Sequence, residues 1–148
     1  MEFILLRHAK AADGAPDEAR PLTAKGVRHA RRVGELLRER ALLPDVVVSS
    51  PATRAWDTAT HACAGMGFGA AIHREPALYG ATRGDILSVL AAYAAAHRPL
   101  LVGHNPGFED FAQHVGGLGE GWKFRKGTAA VFRVAGADVA LVDLVDPR

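Results

Sequence analysis

Phe3-Ile4-Leu5-Leu6 is a run of four apolar residues that stops abruptly at Arg7-His8-Ala9-Lys10. A run without polar alternation reads as a strand covered on both faces, of the kind found in the middle of a parallel sheet. Two more such runs follow, Asp45-Val46-Val47-Val48-Ser49 and Leu100-Leu101-Val102-Gly103. The segments between them have helical spacing. Val27, Ala30, Gly34, Leu37 and Ala41 give a first helix its apolar face, with Thr23 as N-cap and Leu42-Leu43-Pro44 as its end. Ser50-Pro51 begins a second helix, whose inward stripe is Ala52, Ala55, Trp56, Ala59, Cys63 and Met66. Ala71-Ile72-His73 is a minor strand, and Pro76 to Gly84 is loop. A third helix starts at Thr82 or Gly84, faces inward with Ile86, Leu90, Tyr93 and His97, and is stopped by Pro99. There His97 and Arg98 suit the negative end of the dipole. Asn105 caps a fourth helix, with Pro106 in its first turn, through about His114. Gly116 to Gly121 is a glycine-rich loop of no defined type. Ala129 to Val134 and Val139 to Val145 form a hairpin around Gly136-Ala137-Asp138.

Strands alternating with helices predict an α/β fold: a three-layer α/β/α sandwich with a mostly parallel central sheet and a C-terminal antiparallel hairpin. With 148 residues and no linker or repeat, residues 1–148 are expected to form a single domain. The lone Cys63 excludes an internal disulfide framework and a cysteine-built zinc site, and agrees with a reducing compartment. The first apolar run is too short for a leader, and no stretch approaches the roughly 20 apolar residues of a membrane span, so a cytoplasmic protein without a membrane partner is expected. The net charge is only +2. Arg28, Arg31, Arg32, Arg38 and Arg40 are interrupted by Glu35 and Glu39, as on a solvated helix face with pairs such as Glu35–Arg38 and Glu35–Arg31. No aromatic residues interleave with them, so nucleic acid is not an expected partner.

The chemistry collects at strand ends. Arg7 and His8 end the first strand, Ser49-Ser50-Pro51 and then Arg54 follow the second, and His104 with Asn105 follows the third. Parallel strands place their carboxyl ends on one edge of the sheet, where open α/β sheets hold ligands. No acidic residue adjoins the three junctions in sequence, which argues against a divalent metal. Two imidazoles, two guanidiniums and nearby helix N-termini make a pocket for a tetrahedral, multiply charged anion such as phosphate. Blander readings exist for each residue: Arg54 paired with Asp57, or His104 as a capped junction histidine. Their coincidence at three strand ends favours the pocket.

Leu6-Arg7-His8-Ala9-Lys10-Ala11, Ser49-Ser50-Pro51-Ala52-Thr53-Arg54-Ala55 and Val102-Gly103-His104-Asn105-Pro106-Gly107 resemble the three signatures of the histidine phosphatase superfamily (phosphoglycerate mutase-like). Ala-Lys after the histidine, Arg20-Pro21-Leu22-Thr23 with Gly26, and Leu78-Tyr79-Gly80-Ala81 are similar to its small SixA-type phosphohistidine phosphatase branch. The resemblance spans residues 3 to about 108. It implies that His8 is the nucleophile, forming a phosphohistidine intermediate that water hydrolyses. It also implies that Arg7, Arg54 and His104, with Asn105 beside them, hold the phosphoryl oxygens without a metal or other cofactor. His8 must attack as neutral imidazole, so its other nitrogen should donate to an acceptor that fixes the tautomer.

The resemblance also implies that many members that cleave phosphate esters use a carboxylate as general acid for a poor alkoxide leaving group. Here Glu75 is the nearest positional candidate, though Pro76 follows it and the surrounding motif does not match, and Asp13 is a weaker one. No substantial insertion is present to cap a small substrate. Both features favour a phosphoramidate, whose imidazole leaves with little acid assistance. The expected partner is thus a phosphorylated protein, a histidine phosphotransfer protein or similar. The competing expectations are a small phosphorylated molecule cleaved with Glu75 as acid, and a non-catalytic phosphate-binding module. A mutase is the least favoured. Oligomeric state is not legible.

Overall fold

The computed structural model describes residues 1–14 and 16–148, so Ala15, inside the loop expected from Ala11 to Glu18, lies outside the described residues. The chain runs β1 (Glu2–Arg7), α1 (Ala24–Glu39), β2 (Val46–Ser49), α2 (Thr53–Met66), β3 (Ile72–Arg74), α3 (Arg83–Ala92), β4 (Pro99–Gly103), α4 (Gly107–His114), β5 (Ala129–Ala135) and β6 (Asp138–Val145). The sheet order is β3-β2-β4-β1-β5-β6. The first four of these strands are mutually parallel, and β5 and β6 add the antiparallel hairpin. This is the expected mostly parallel α/β sandwich.

Alternation along β1 feeds two cores. Ile4 and Leu6 point to the layer of α1 and α2, among Val33, Leu37, Ala55 and Ala59. Phe3 and Leu5 point to the layer of α3 and α4, among Ile86, Leu90, Phe108 and Phe111. Each fully buried side chain of this size contributes about 1.5–3 kcal/mol as an upper figure. α1 and α2 touch at backbone distance: a Cβ on Gly34 would lie 2.1 Å from the Ala62 carbonyl oxygen. Gly26 does the same against the Lys10 carbonyl, at 2.1 Å, so α1 is seated directly on the segment that follows His8.

Thr23 caps α1 as expected, its hydroxyl accepting from the Gly26 N–H at 3.1 Å. Thr82 starts α3 through a reciprocal pair with Asp85. Other expectations need correction. Ser50-Pro51 does not begin α2, which starts at Thr53 without a side-chain cap; the Ser50 hydroxyl accepts from the Ala52 N–H at 3.3 Å in the turn before the helix and also meets His104. Trp56 is only half-buried; the Arg74 guanidinium lies 4.6 Å over its ring. α3 stops at Ala92, so Tyr93 follows it and His97 is exposed beyond it. The backbone passes into tighter turns from Tyr93, and beyond them the Asp45 carboxylate accepts from the N–H groups of His97 (2.7 Å) and Arg98 (2.9 Å), fixing that segment outside the helix. The Pro76–Gly84 loop contains a 3-10 turn at Pro76–Leu78. On α1, Glu35 pairs with Arg31 and Arg32 rather than Arg38. Among the described residues no helix is long and apolar enough to cross a membrane.

Candidate active site

The register brings the three junctions together. Arg7 lies opposite Gly103 across β1 and β4, and Ser49 opposite Val102 across β2 and β4. The His8 N–H then donates to the Gly103 carbonyl at 3.0 Å, and the Ser50 N–H to the Val102 carbonyl at 3.0 Å. The rings of His8 and His104 sit with centroids 5.2 Å apart. The Ala9 N–H donates to the Thr58 hydroxyl at 3.0 Å, and that hydroxyl donates to the Arg54 carbonyl at 2.7 Å. Thr58 therefore bolts the end of β1 to the first turns of α2.

His8 Nδ1 stands 2.8 Å from the carbonyl oxygen of Ala9. A carbonyl only accepts, so Nδ1 carries the proton and Nε2 keeps its lone pair. Burial first, then the guanidiniums of Arg54 and Arg7 and the ammonium of Lys126, push the His8 pKa down to about 4 against the opposing Ala9 bond. Burial, followed by His8 and Arg54, pushes His104 down to about 3. Both rings are neutral at neutral pH. Titrated by NMR, the His8 ring protons are expected to show no inflection near the ordinary 6.5 and to shift only below about pH 5. An inflection at 6–7 would mean a wetter site.

His104 Nε2 meets the Ser50 hydroxyl at 2.8 Å, and the Tyr79 ring stands edge-on to His104 at 5.6 Å. Arg7 donates through Nη1 to the Phe124 carbonyl at 2.7 Å. The Asn105 amide donates to the same carbonyl at 3.2 Å while its oxygen accepts from the Glu109 N–H at 3.2 Å. The N-cap position of α4 is Pro106 rather than the expected Asn105, although the Asn105 oxygen does take one of the first N–H groups of the helix while its amide braces Arg7's anchor. Arg54 is gripped by Asp17 rather than Asp57. Its Nη1 donates to the Asp17 carbonyl at 2.8 Å and its Nη2 to the carboxylate at 3.1 Å.

The sequence showed no acid adjoining the junctions, and Asp17 corrects that expectation in space. Its carboxylate also accepts from the Tyr79 hydroxyl at 2.7 Å and from Arg20 at 3.2 Å. Tyr79, then Arg20 and Arg54, hold the Asp17 pKa down at about 2. Asp17 is therefore an ionised acceptor with no proton to give. Glu75, at the end of β3, turns its carboxylate to the Ala77 N–H at 3.2 Å, and Asp13 is exposed. Among the described residues no group of His, Cys, Asp and Glu side chains is placed to hold a metal ion.

Buried polar atoms are hydrogen-bonded almost without exception. Among the described residues the buried side-chain nitrogens without a partner are Arg7 Nε, Arg54 Nε and His104 Nδ1. All three belong to this one site, and a tetrahedral oxyanion offers the acceptors that two guanidiniums lack. Missed from sequence were Asp17, Tyr79, Ser50 and the Phe124 carbonyl. Tyr79 and Ser50 stand inside the quoted motifs, while Asp17 reaches Arg54 across a sequence gap that no local pattern reveals.

The fold and site define an α/β protein with two neutral histidines and two arginines at the carboxyl edge of a parallel sheet. The model of the histidine phosphatase superfamily (branch 1) matches residues 3–115. An uncharacterized protein of Mycobacterium tuberculosis is 38% identical over 104 residues, which are 68% of this chain and 63% of that protein. The chain thus spans less than two thirds of that relative's length. A SixA protein of Agrobacterium tumefaciens, assigned as a phosphohistidine phosphatase, superposes with a TM-score of 0.87 at 30% identity, covering 99% of this chain and 97% of its own. The protein histidine phosphatase SixA complexed with tungstate shares the fold, with a TM-score of 0.88 at 22% identity over 99% of this chain and 97% of its own. The chain belongs to the histidine phosphatase superfamily, in its SixA-type branch.

Proposed function

We propose that this protein is a metal-independent phosphatase that hydrolyses phosphohistidine on a partner protein through a phosphorylated His8. The observation that carries the reading is the pairing of a neutral His8, with Nε2 left as a lone pair, and an Asp17 that is ionised and tied to Arg54, Tyr79 and Arg20. Nε2 attacks phosphorus as the bond from phosphorus to the substrate imidazole breaks. A phosphorylated ring protonated on its distal nitrogen leaves as neutral imidazole and takes no proton from the enzyme. An alkoxide leaving group would need a protonated acid. Arg7, Arg54 and His104 hold the phosphoryl oxygens while charge moves between the two nitrogens. Water then attacks the phosphoenzyme, a P–O bond forms, the P–Nε2 bond breaks, and inorganic phosphate leaves. The SixA names of the structural relatives agree with this substrate class.

Phosphate release in a chelator, from a phosphohistidine-bearing protein and from a stable alkyl phosphate, tests the reading. The expected result is release from phosphohistidine at least about 100-fold faster in kcat/KM, consistent with the 10²–10⁴ that a missing general acid forfeits on the ester. Glu75→Gln should leave both rates within about twofold. Fast alkyl ester turnover that collapses in Glu75→Gln would make the protein a small-molecule phosphatase. No turnover of either substrate would leave a phosphate-binding module.

A further inference from the structure

The surface around the His8 mouth gathers four cations without a carboxylate partner, whereas the other such exposed cations among the described residues, Arg38, Arg74 and Lys123, are scattered along the chain, Arg74 lying over the Trp56 ring. Elsewhere guanidiniums are mostly paired, as with Arg40 and Asp143, Arg83 and Asp110, and Arg98 and Arg133 with Glu2. Lys10, Lys25, Arg28 and Lys126 are exposed, and among the described residues none of them is paired with a carboxylate. Packing places all four together. The Gly127 N–H donates to the carbonyls of Arg7 (3.0 Å) and His8 (3.1 Å), so Lys126 sits over the end of β1. A Cβ on Gly127 would touch Ala9 and His29, each at 3.6 Å, which joins that turn to α1. Lys25 and Arg28 flank His29 on α1, and with burial and Arg148 they lower its pKa. Lys10 follows Ala9, its carbonyl accepting from the Thr23 N–H that begins α1. On this side of the mouth the nearby carboxylate, Asp146, is already taken by Arg125 (3.0 Å) and Arg148 (2.9 Å), whereas Asp17 and the exposed Glu18 lie on the opposite side, with Arg54 and Tyr79.

We propose that Lys10, Lys25, Arg28 and Lys126 form a docking rim for a protein whose phosphohistidine is ringed by carboxylates. The inference rests on the proposed phosphohistidine activity and names what its partner surface must look like. Clustered cations beside a site raise the encounter rate with an acidic partner and lose that advantage in salt. A small phosphate inside the pocket is already met by Arg7, Arg54 and His104, so the outer rim serves what extends beyond the phosphoryl group.

The test uses two histidine-phosphorylated peptides, one with glutamates flanking the phosphohistidine and one with glutamines there. Wild type and a Lys25→Glu/Arg28→Glu variant are compared, with an aryl phosphate as a small-substrate control. Both replaced side chains are exposed, and glutamate suits the first turns of a helix, so the variant should fold. Wild type is expected to favour the acidic peptide about tenfold in kcat/KM at low ionic strength, and to lose the preference at about 0.5 M salt. The variant should lose the preference while its aryl phosphate rate stays unchanged. Wild type handling both peptides alike would overturn the rim and leave the activity standing, as would a variant that keeps the preference. A variant whose aryl phosphate rate falls in parallel would also overturn it, since the pair would then act through the pocket. Turnover of the aryl phosphate with neither peptide cleaved would remove the phosphohistidine reading and the rim with it.

Discussion

His8→Ala is expected to lower phosphate release from phosphohistidine by at least about 10⁴-fold, since removing a nucleophile leaves only binding and electrostatic stabilisation. The structure supplies the reason in detail. In the proposed mechanism Nε2 is the attacking nitrogen, because Nδ1 is committed to the Ala9 carbonyl and the Ala9 N–H is itself bonded to Thr58. The variant should keep its fold. Burial, together with Arg54, Arg7 and Lys126, holds His8 neutral, so a neutral methyl in its place creates no unpaired charge. Anion binding should survive, because Arg7, Arg54 and His104 remain. Inhibition by inorganic phosphate of the residual activity, beside unchanged thermal unfolding, checks both points. Loss of activity together with loss of fold would say nothing about the nucleophile, and His8→Asn, which keeps a polar side chain of similar size, is the second variant.

Arg54→Ala is expected to cost about 10³-fold in kcat, in line with loss of a cation that stabilises phosphoryl charge. Arg54→Lys should recover only part of this, about tenfold. The guanidinium uses two nitrogens on Asp17 and keeps Nε without a protein partner, and an ammonium cannot reproduce that fork. Arg54 also ties the segment around Asp17 to α2, so the alanine variant should lose a little stability. The exposed carboxylate side of that ion pair keeps the loss small. Single-turnover rates separate the effects: a positioning role alone would raise KM, whereas charge stabilisation lowers the chemical step itself.

Much of this architecture was legible from one sequence because its strands announce themselves. Phe3–Leu6, Val47–Val48 and Leu100–Val102 are buried on both faces, and runs without alternation are what such burial requires. Their ends then placed Arg7, His8, Arg54 and His104 on one edge without further assumption. Reading the helix ends was less successful, and contacts between residues distant in sequence were not legible at all. Asp45 takes the N–H groups of His97 and Arg98, and His104 takes the Ser50 hydroxyl, and no local propensity contains either event. Asp17 was hidden for the same reason. It lies 37 residues from Arg54 in a turn-rich loop, and only the seating of that loop on α2 converts an ordinary surface carboxylate into the acceptor for Arg54 and Tyr79.

Trapping the phosphoenzyme tests the central claim most directly. Enzyme mixed with a ³²P-labelled phosphohistidine protein and quenched in alkali within the first turnover should carry label on His8. That label should be stable to base, labile to acid, and absent from His8→Ala. Label on another residue, or full-speed turnover by His8→Ala, would contradict the account.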